Sequence, residues 1–109
     1  MPPRADLLQG SLDLLILKCL LNDPLHGWAI AKRLRDWSSE VLEVNQGSLY
    51  PALYRLEERG WVDAAWGVSP EGRKVKVYTL TKLGRRQLDE EREQWRRFSL
   101  AVNQVLRAT

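Results

Sequence analysis

The sequence predicts a mostly α-helical fold with a small β-hairpin (α+β), followed by a long terminal helix. Three patterns lead to this prediction: an apolar first helix, an amphipathic helix that ends at Gly60, and an alternating run from Lys74 to Leu80. Apolar residues recur at helical spacing in the first two patterns and at every second position in the third. At 109 residues, the chain is long enough for one domain with a modest core.

The first helix is predicted over about residues 11–21, or from Asp6 onward. Its apolar residues surround most of the circumference, so other elements must cover it on more than one side. Asp13 and Lys18 interrupt the apolar stretch, and no small-residue cleavage site follows it. The stretch is therefore interpreted as a buried helix, not as a signal peptide or a membrane span.

A helix-turn-helix is predicted next. Its first member runs from about Gly27 to Trp37, with Ile30, Leu34 and Trp37 facing the core and basic residues facing outward. Its second member follows a connection at residues 38–46, which is longer than is usual for this motif.

The second member of this motif has a well-defined start and stop. Pro51 is tolerated only in the first turn of a helix, so the helix is predicted to begin near Gly47 or Ser48, with Ser48 as the N-cap or a residue near it. Gly60 suits the position just after a helix C-terminus. The core stripe consists of three leucines at helical spacing, Leu49, Leu53 and Leu56.

The opposite face of that helix carries hydroxyls and a guanidinium in place of the usual Glu and Lys: Ser48, Tyr50, Tyr54 and Arg55. We expect this face to contact a partner. Tyrosine hydroxyls would meet phosphates, and Arg55 would reach a guanine edge. Two alternatives remain open: the tyrosines wedge the helix into its own domain, or Arg55 pairs with Glu58 at i+3.

A β-hairpin is predicted from two strands, residues 61–66 and Lys74–Leu80, joined by the polar loop GVSPEGR. Val75, Val77 and Thr79 share one face of the second strand, and Lys74, Lys76 and Tyr78 share the other. The cations Arg73, Lys74 and Lys76 favour contact with a phosphate backbone over a merely solvated face. A basic hairpin after a helix-turn-helix predicts a winged helix-turn-helix.

The last helix is predicted from a cap at Thr81 to Arg107, about 40 Å at 1.5 Å per residue. A domain of this size has a radius of gyration of only ~13 Å, so its own core cannot cover such a helix. Its apolar residues form a heptad seam: Leu88, Trp95, Phe98, Val102 and Val105. This seam predicts a two-fold homodimer, with residues 1–80 as the DNA-binding domain, residues 81–109 as the dimerisation helix, and the first helix contributing to the interface.

Composition and titratable residues argue against an enzyme. The net charge of +3 and a pI near 9.3 only weakly favour an anionic partner. Cys19 and His26 are the single residues of their types, so the chain can form no internal disulfide and offers no nucleophile–base pair or zinc cluster. We expect no cofactor and no metal, no membrane association, and a reducing cytoplasmic location.

Four segments resemble a known family: LLQGSLDLLILKCL, PLHGWAI, QGSLYPALYRLEERGW and VYTLTKLGRRQL. They are similar, in this order and over essentially the whole chain, to the PadR-like winged-helix transcriptional regulators. The resemblance implies a cytoplasmic homodimer that represses promoters and often releases DNA on binding a small effector. It also assigns Ser48, Tyr50, Tyr54 and Arg55 to the recognition helix, and Arg73, Lys74 and Lys76 to the wing.

Trp95 has two interpretations. It fills the dimer seam as a large apolar side chain, or it stacks on a small planar hydrophobic effector near the two-fold axis. In the second case the pocket would be lined by Phe98, Leu12 and Ile16. The other tryptophans, Trp28, Trp37, Trp61 and Trp66, are predicted to be core residues.

The sequence therefore predicts a homodimeric, sequence-specific transcriptional regulator that binds double-stranded DNA at a palindromic operator. It is expected to be a repressor, relieved by a small hydrophobic effector at the dimer interface. The alternative is a winged-helix protein-interaction module that uses the same tyrosine face without binding DNA.

Overall fold

The computed structural model describes residues 5–109, with side chains from residue 11 onward. Its elements are α1 (Ala5–Cys19), β1 (Leu25–His26), α2 (Gly27–Trp37), α3 (Gln46–Glu58), β2 (Val62–Val68), β3 (Lys74–Leu80) and α4 (Lys82–Arg107). The three strands form one antiparallel sheet in the order β1-β3-β2. The predicted α+β fold, with a hairpin wing and a long last helix, is confirmed. Within residues 5–109, no helix is long and apolar enough to cross a membrane.

The strand β1 was not predicted. It consists of two residues, Leu25 and His26, which lie opposite Tyr78 and Val77 of β3. Two residues are too few to show an alternating pattern, so the sequence gives no signal for this strand. Its position ties the start of α2 to the hairpin.

The core lies where α1, α2 and α3 meet the inner face of the sheet. It is dominated by buried aliphatic side chains: Leu12, Ile16, Leu17, Leu20, Ile30, Leu34, Leu49, Leu53, Leu56 and Val62. The helix α1 packs against α2, α3 and α4. The predicted burial of the first helix on several sides is therefore confirmed.

The hairpin turns one of its two faces toward this core. Tyr78 is buried, and it pairs with Ala64 across the β2–β3 ladder. Directly paired residues share a face, so Lys76 and its partner Trp66 lie on the same face as Tyr78, farther out along the hairpin. Lys74, two residues beyond Lys76, follows on that face. Along β3, this face therefore changes from the buried Tyr78 to a cationic and aromatic surface at Lys76, Trp66 and Lys74.

The ends of α3 are fixed by specific hydrogen bonds. Asn45, not Ser48, is the N-cap, since its Oδ1 accepts from the backbone N–H of Ser48 at 2.9 Å. Ser48 is therefore not the N-cap but a residue of the first turn. The helix begins at Gln46, so Pro51 lies inside it beyond the first turn, and the prediction that Pro51 restricts the start to Gly47 or Ser48 was wrong. At the other end, Gly60 has a φ of +75°, and the N–H of Trp61 donates to the carbonyl of Leu56 at 3.0 Å. This is a Schellman motif, as the glycine predicted.

Three tryptophans predicted to lie in the core are exposed: Trp28 at 59%, Trp37 at 57% and Trp66 at 67%. Only Trp61 packs against the core. Trp37 lies beneath Arg33, and Trp66 beneath Lys74, each with the cation 5.2 Å from the ring centroid. A cation over one ring face stabilises a tryptophan that no neighbouring element covers. The apolar pattern of an element predicts which of its sides faces the core, but it does not show which part of that side the neighbouring elements leave exposed.

The helix α4 begins in the core and then leaves it. The Thr81 side chain caps it by accepting from the N–H of Gly84 at 2.9 Å, as predicted. Leu88 is 1% exposed, whereas Trp95 is 50% and Phe98 62% exposed. The projecting turns extend the chain to 57 Å and raise its radius of gyration to 15.0 Å. Leu88 is buried within one chain, so its prediction as a dimer-seam residue was wrong; Trp95, Phe98, Val102 and Val105 remain as the predicted seam.

The absence of a side chain at Gly84 lets α4 pass close to the backbone at Trp61. A Cβ at this position would collide with the carbonyl oxygen of Trp61 and approach Leu80 Cδ1 to 2.7 Å. The replacement Gly84→Ala is therefore expected to lower the free energy of unfolding by about 3 kcal/mol, since a backbone carbonyl cannot move aside cheaply. Urea denaturation would measure the loss. Gly47→Ala, also in a helix, is the control and is expected to change the free energy of unfolding by less than about 1 kcal/mol, because the gain in helix propensity opposes the small shift required of the Asn45 side chain, whose Oδ1 would lie 3.3 Å from the new Cβ.

Candidate nucleic-acid interface

The two tyrosines of α3 are both exposed, Tyr54 more than Tyr50. The alternative that the tyrosines wedge the helix into its own domain is therefore not observed for Tyr54. The carboxylate of the nearby Glu58 raises the pKa of Tyr54 above its usual value. Tyr54 therefore stays neutral at physiological pH and keeps a hydroxyl that can donate to a phosphate in place of Glu58.

Tyr50 lies at the boundary between α3 and the start of α2. A methyl group added at Gly27 would approach the Tyr50 hydroxyl oxygen to 2.6 Å, so the absence of a side chain at Gly27 leaves room for the ring. Tyr50 thus has one edge against its own domain and one edge in solvent. The packing of Tyr50 against its own domain is therefore observed in part, and its contact with DNA stays a prediction.

Ser48 is half-buried at the first turn of α3. Its backbone N–H is already taken by the Asn45 side chain. A phosphate at this helix N-terminus would therefore have to displace the Asn45 side chain before it could accept from the N–H of Ser48.

Arg55 is positioned by a contact that the sequence did not reveal. Its Nη2 lies 3.0 Å from Oδ1 of Asp13 on α1, and Nη1 of Arg59 lies 3.8 Å from Oδ2 of the same carboxylate. The predicted alternative, a pair with Glu58, is not the one observed. The two partners are 42 residues apart, and no helical spacing rule relates them.

The wing presents its cations unequally. Arg73 and Lys74 are exposed, and the turn before them is organised by Ser69, whose hydroxyl oxygen accepts from the N–H of Arg73 at 3.1 Å. Lys76 is half-buried and forms an ion pair with Glu57 of α3 at 3.2 Å. Arg73 and Lys74 are thus the readily available cations, while Lys76 must give up an internal partner before it can bind a phosphate.

A cleft of about 570 Å³ separates the wing from the N-terminal ends of α2 and α3. It is lined by His26, Gly27, Trp28, Gln46, Tyr50, Trp66, Ser69, Glu71, Arg73, Lys74, Val75 and Lys76. Sequence reasoning missed His26, Trp28, Gln46 and Trp66 as members of this surface. A signal existed for Trp66 alone, since the hairpin register places it beside the wing lysines. Trp28 stacks on His26 with ring centroids 6.2 Å apart.

The exposed part of α4 forms a second surface. Trp95 and Phe98 are adjacent, with ring centroids 6.1 Å apart, and Val102 and Val105 continue the same side of the helix. Leu12 and Ile16, predicted to line a pocket with them, are fully buried in the core of one chain. They do not face solvent as Trp95 and Phe98 do, so the predicted effector pocket is reduced to the exposed aromatic pair.

Two other kinds of site, a metal centre and a reactive cysteine, have little basis among the described residues. Among residues 11–109, no group of three or more His, Cys, Asp or Glu side chains could hold a metal ion. Burial raises the pKa of the Cys19 thiol to about 11, an effect that the nearby Arg33 and Lys18 only partly oppose. Cys19 is therefore a neutral thiol at physiological pH.

The Cys19 thiol is expected to react with Ellman's reagent at pH 8 about a hundredfold more slowly than the same thiol in the unfolded chain. A pKa raised from 9.0 to about 11 lowers the thiolate fraction by that factor, and burial adds a steric barrier. Absorbance at the thionitrobenzoate band, with and without urea, measures both rates. Equal rates in the two conditions would show that the thiol is exposed in the folded protein.

Together, the helix-turn-helix, the exposed tyrosine face of α3 and the basic hairpin beside it define a winged-helix protein of the DNA-binding class. The family model described as "Transcriptional regulator PadR-like family" matches residues 16–90. This match spans more than half of the chain, and the chain belongs to the PadR-like family of transcriptional regulators. Members of this family are transcriptional regulators and not enzymes.

Solved structures of similar proteins agree with this assignment. A transcriptional regulator from Clostridium thermocellum is 25% identical, with a TM-score of 0.83 over 92% of this chain and 97% of its own. A PadR-like transcriptional regulator from Bacillus cereus is 28% identical, with a TM-score of 0.80 over 96% of this chain and all of its own. A PadR family transcriptional regulator from Eggerthella lenta is 30% identical, with a TM-score of 0.81 over 95% of this chain and 88% of its own.

A curated protein of Lysinibacillus sphaericus, described as uncharacterized protein X, is also similar. It is 29% identical over 92 residues, which cover 84% of each chain. Its description adds no functional information.

Proposed function

We propose that this chain is a homodimeric repressor that places α3 in the major groove of a palindromic operator and sets its wing against the adjacent backbone. The observation that carries the proposal is the cleft between the wing and the N-terminal ends of α2 and α3. Arg73 and Lys74 are exposed at this cleft together with Tyr50, and the exposed Tyr54 lies outside the cleft, one helical turn farther along α3. Cations and tyrosine hydroxyls on one concave surface suit a phosphate backbone.

The proposal of a dimer is supported by the exposed apolar side of α4. Trp95, Phe98, Val102 and Val105 repeat at spacings of three and four residues over a projecting helix. Isolated exposed apolar residues are ordinary on a protein surface, but a contiguous row of this size favours a partner. A second copy of the same helix is the simplest complement, because a heptad seam is self-complementary. Two-fold symmetry would then place two α3 helices on successive major grooves.

Repression relieved by an effector is the finer part of the proposal. It is supported by the adjacent Trp95 and Phe98 rings, which would lie near the two-fold axis of such a dimer. A planar hydrophobic compound would stack between the rings of the two copies. Because five tryptophans contribute to fluorescence, the signal of Trp95 is obtained by subtracting that of Trp95→Phe. We expect quenching by planar hydrophobic compounds in the wild type and none in the variant; equal spectra across such compounds would remove the effector from the proposal.

A mobility-shift assay with the upstream region of the chain's own gene tests the main proposal. We expect a discrete complex that survives an excess of random-sequence duplex. A protein that shifts neither duplex would contradict the proposal and favour the protein-interaction alternative. A protein that shifts both duplexes equally would bind DNA without the sequence specificity that an operator requires, and this result would also contradict the proposal.

A further inference from the structure

Asp13 lies between two guanidinium groups of the recognition helix. It belongs to α1, and its side chain is only 22% exposed. Oδ1 receives Nη2 of Arg55 at 3.0 Å, and Oδ2 lies 3.8 Å from Nη1 of Arg59. The carboxylate therefore restricts Arg55 at its guanidinium end, while 45% of the Arg55 side chain remains exposed.

The geometry of this contact leaves Arg55 able to bind a second group. A guanidinium has five N–H donors in a planar fork, and a contact through Nη2 leaves donors on its other edges. Reading a guanine requires two of these donors to face O6 and N7 together. A free arginine loses much rotamer freedom in adopting that pose, whereas one already held by a carboxylate loses less.

We propose that Asp13 is a positioning residue that orients Arg55 toward a base edge and thereby sets base specificity. This inference rests on the proposed DNA-binding function of α3. Asp13 also acts in the opposite direction on binding to any sequence, because a carboxylate beside the interface repels phosphates. Its removal should therefore strengthen non-specific binding and weaken specific binding.

The chain contains a matched control on the other side of the same helix. Glu57 of α3 pairs with Lys76 of the wing at 3.2 Å, so Glu57→Gln removes one negative charge, as Asp13→Asn does, and it frees one cation where Asp13→Asn frees Arg55 and Arg59. Lysine acts as a compact charge without a planar fork, and it has no bidentate pose to lose. Glu57→Gln is therefore expected to change affinity for all sequences alike.

The experiment measures dissociation constants at one salt concentration for two duplexes. One is the segment of the chain's own upstream region that gives the strongest mobility shift, and the other has the same length and random sequence. Asp13→Asn is expected to raise the affinity for the random duplex and to lower the ratio of specific to random affinity about tenfold or more, the range of one bidentate arginine contact. Glu57→Gln should leave the ratio within about twofold, and Asp13→Glu should restore part of it.

A second variant separates positioning from folding. Arg55→Lys keeps the charge and can still pair with Asp13, but it lacks the planar fork, so it should lower the same ratio without any change in α1. The double variant Asp13→Asn, Arg55→Lys should be no less selective than the worse single variant, because both substitutions remove the same contact of Arg55 with a base. Additive losses in the double variant, or an Asp13→Asn protein as selective as the wild type, would overturn the role of Asp13.

Failure of the inference differs from failure of the proposed function. A wild-type protein that binds both duplexes equally contradicts sequence-specific binding, and the role of Asp13 is refuted with it. A selective wild type whose Asp13→Asn variant keeps its selectivity refutes the role of Asp13 alone.

Discussion

Phe98→Asp is expected to convert the protein into a monomer and to lower its affinity for a palindromic operator by about 10²–10⁴-fold. Phe98 is exposed on the apolar row of α4, beside Trp95. A charge there would be buried and unpaired in the proposed dimer, so the two chains would separate. Each monomer would then bind one half-site without the gain in effective concentration that the second half-site provides. Light scattering after size-exclusion chromatography gives the mass, and a mobility shift gives the affinity.

The control for this prediction is Leu100→Asp. Leu100 is also an exposed apolar residue of α4, but at 100° per residue it lies on the opposite side from the Trp95–Phe98 row. The variant is expected to remain dimeric and to bind the operator as the wild type does. If Phe98→Asp stays dimeric, or if Leu100→Asp disrupts the dimer equally, the proposed seam is wrong.

Operator affinity is expected to fall by roughly 10³-fold or more between 50 and 200 mM salt if ~6 phosphates are neutralised by the dimer. The physical reason is counterion release, which makes the logarithm of affinity linear in the logarithm of salt concentration. Arg73 and Lys74 are the exposed cations at the cleft, so they should account for part of the slope. Fluorescence anisotropy of a labelled operator at several salt concentrations measures this slope.

Replacing both Arg73 and Lys74 by alanine should reduce the slope of the logarithm of affinity against the logarithm of salt concentration by about 1.8 per chain, the value for two phosphate contacts. The loss should be the same for operator and random duplexes, because phosphate contacts carry no direct sequence information. Arg96→Ala is the control: Arg96 is paired with Glu93 on the exposed part of α4, and its removal should leave the slope unchanged. A flat salt response in the wild type would contradict a phosphate-binding wing.

The sequence predicts the elements of this fold well where a pattern is long and local. The helix over Gly27–Trp37 and the strand over Lys74–Leu80 have the predicted bounds, because each shows a full period of apolar residues or alternation. Gly60 and Thr81 end and begin helices as their backbone and side-chain chemistry requires. β1 could not be predicted, since two residues carry no period.

The candidate site is less accessible to sequence reasoning because its details are non-local. The exposure of Trp66 depends on the hairpin register that places it beside Lys74. The ion pair of Arg55 with Asp13 depends on how α1 crosses α3, which no short spacing encodes. The sequence identified the cations of the wing correctly as a group, but it could not show that Lys76 is paired with Glu57 while Arg73 and Lys74 remain exposed.

The central claim is that two copies, joined through α4, present paired α3 helices and wings to DNA. A hydroxyl-radical footprint on the upstream region of the chain's own gene tests it most directly. The account predicts two equally protected half-sites, related by a dyad and about 10 bp apart from centre to centre, the spacing of successive major grooves on one side of the duplex. A single protected half-site, or uniform protection without a dyad, would contradict it.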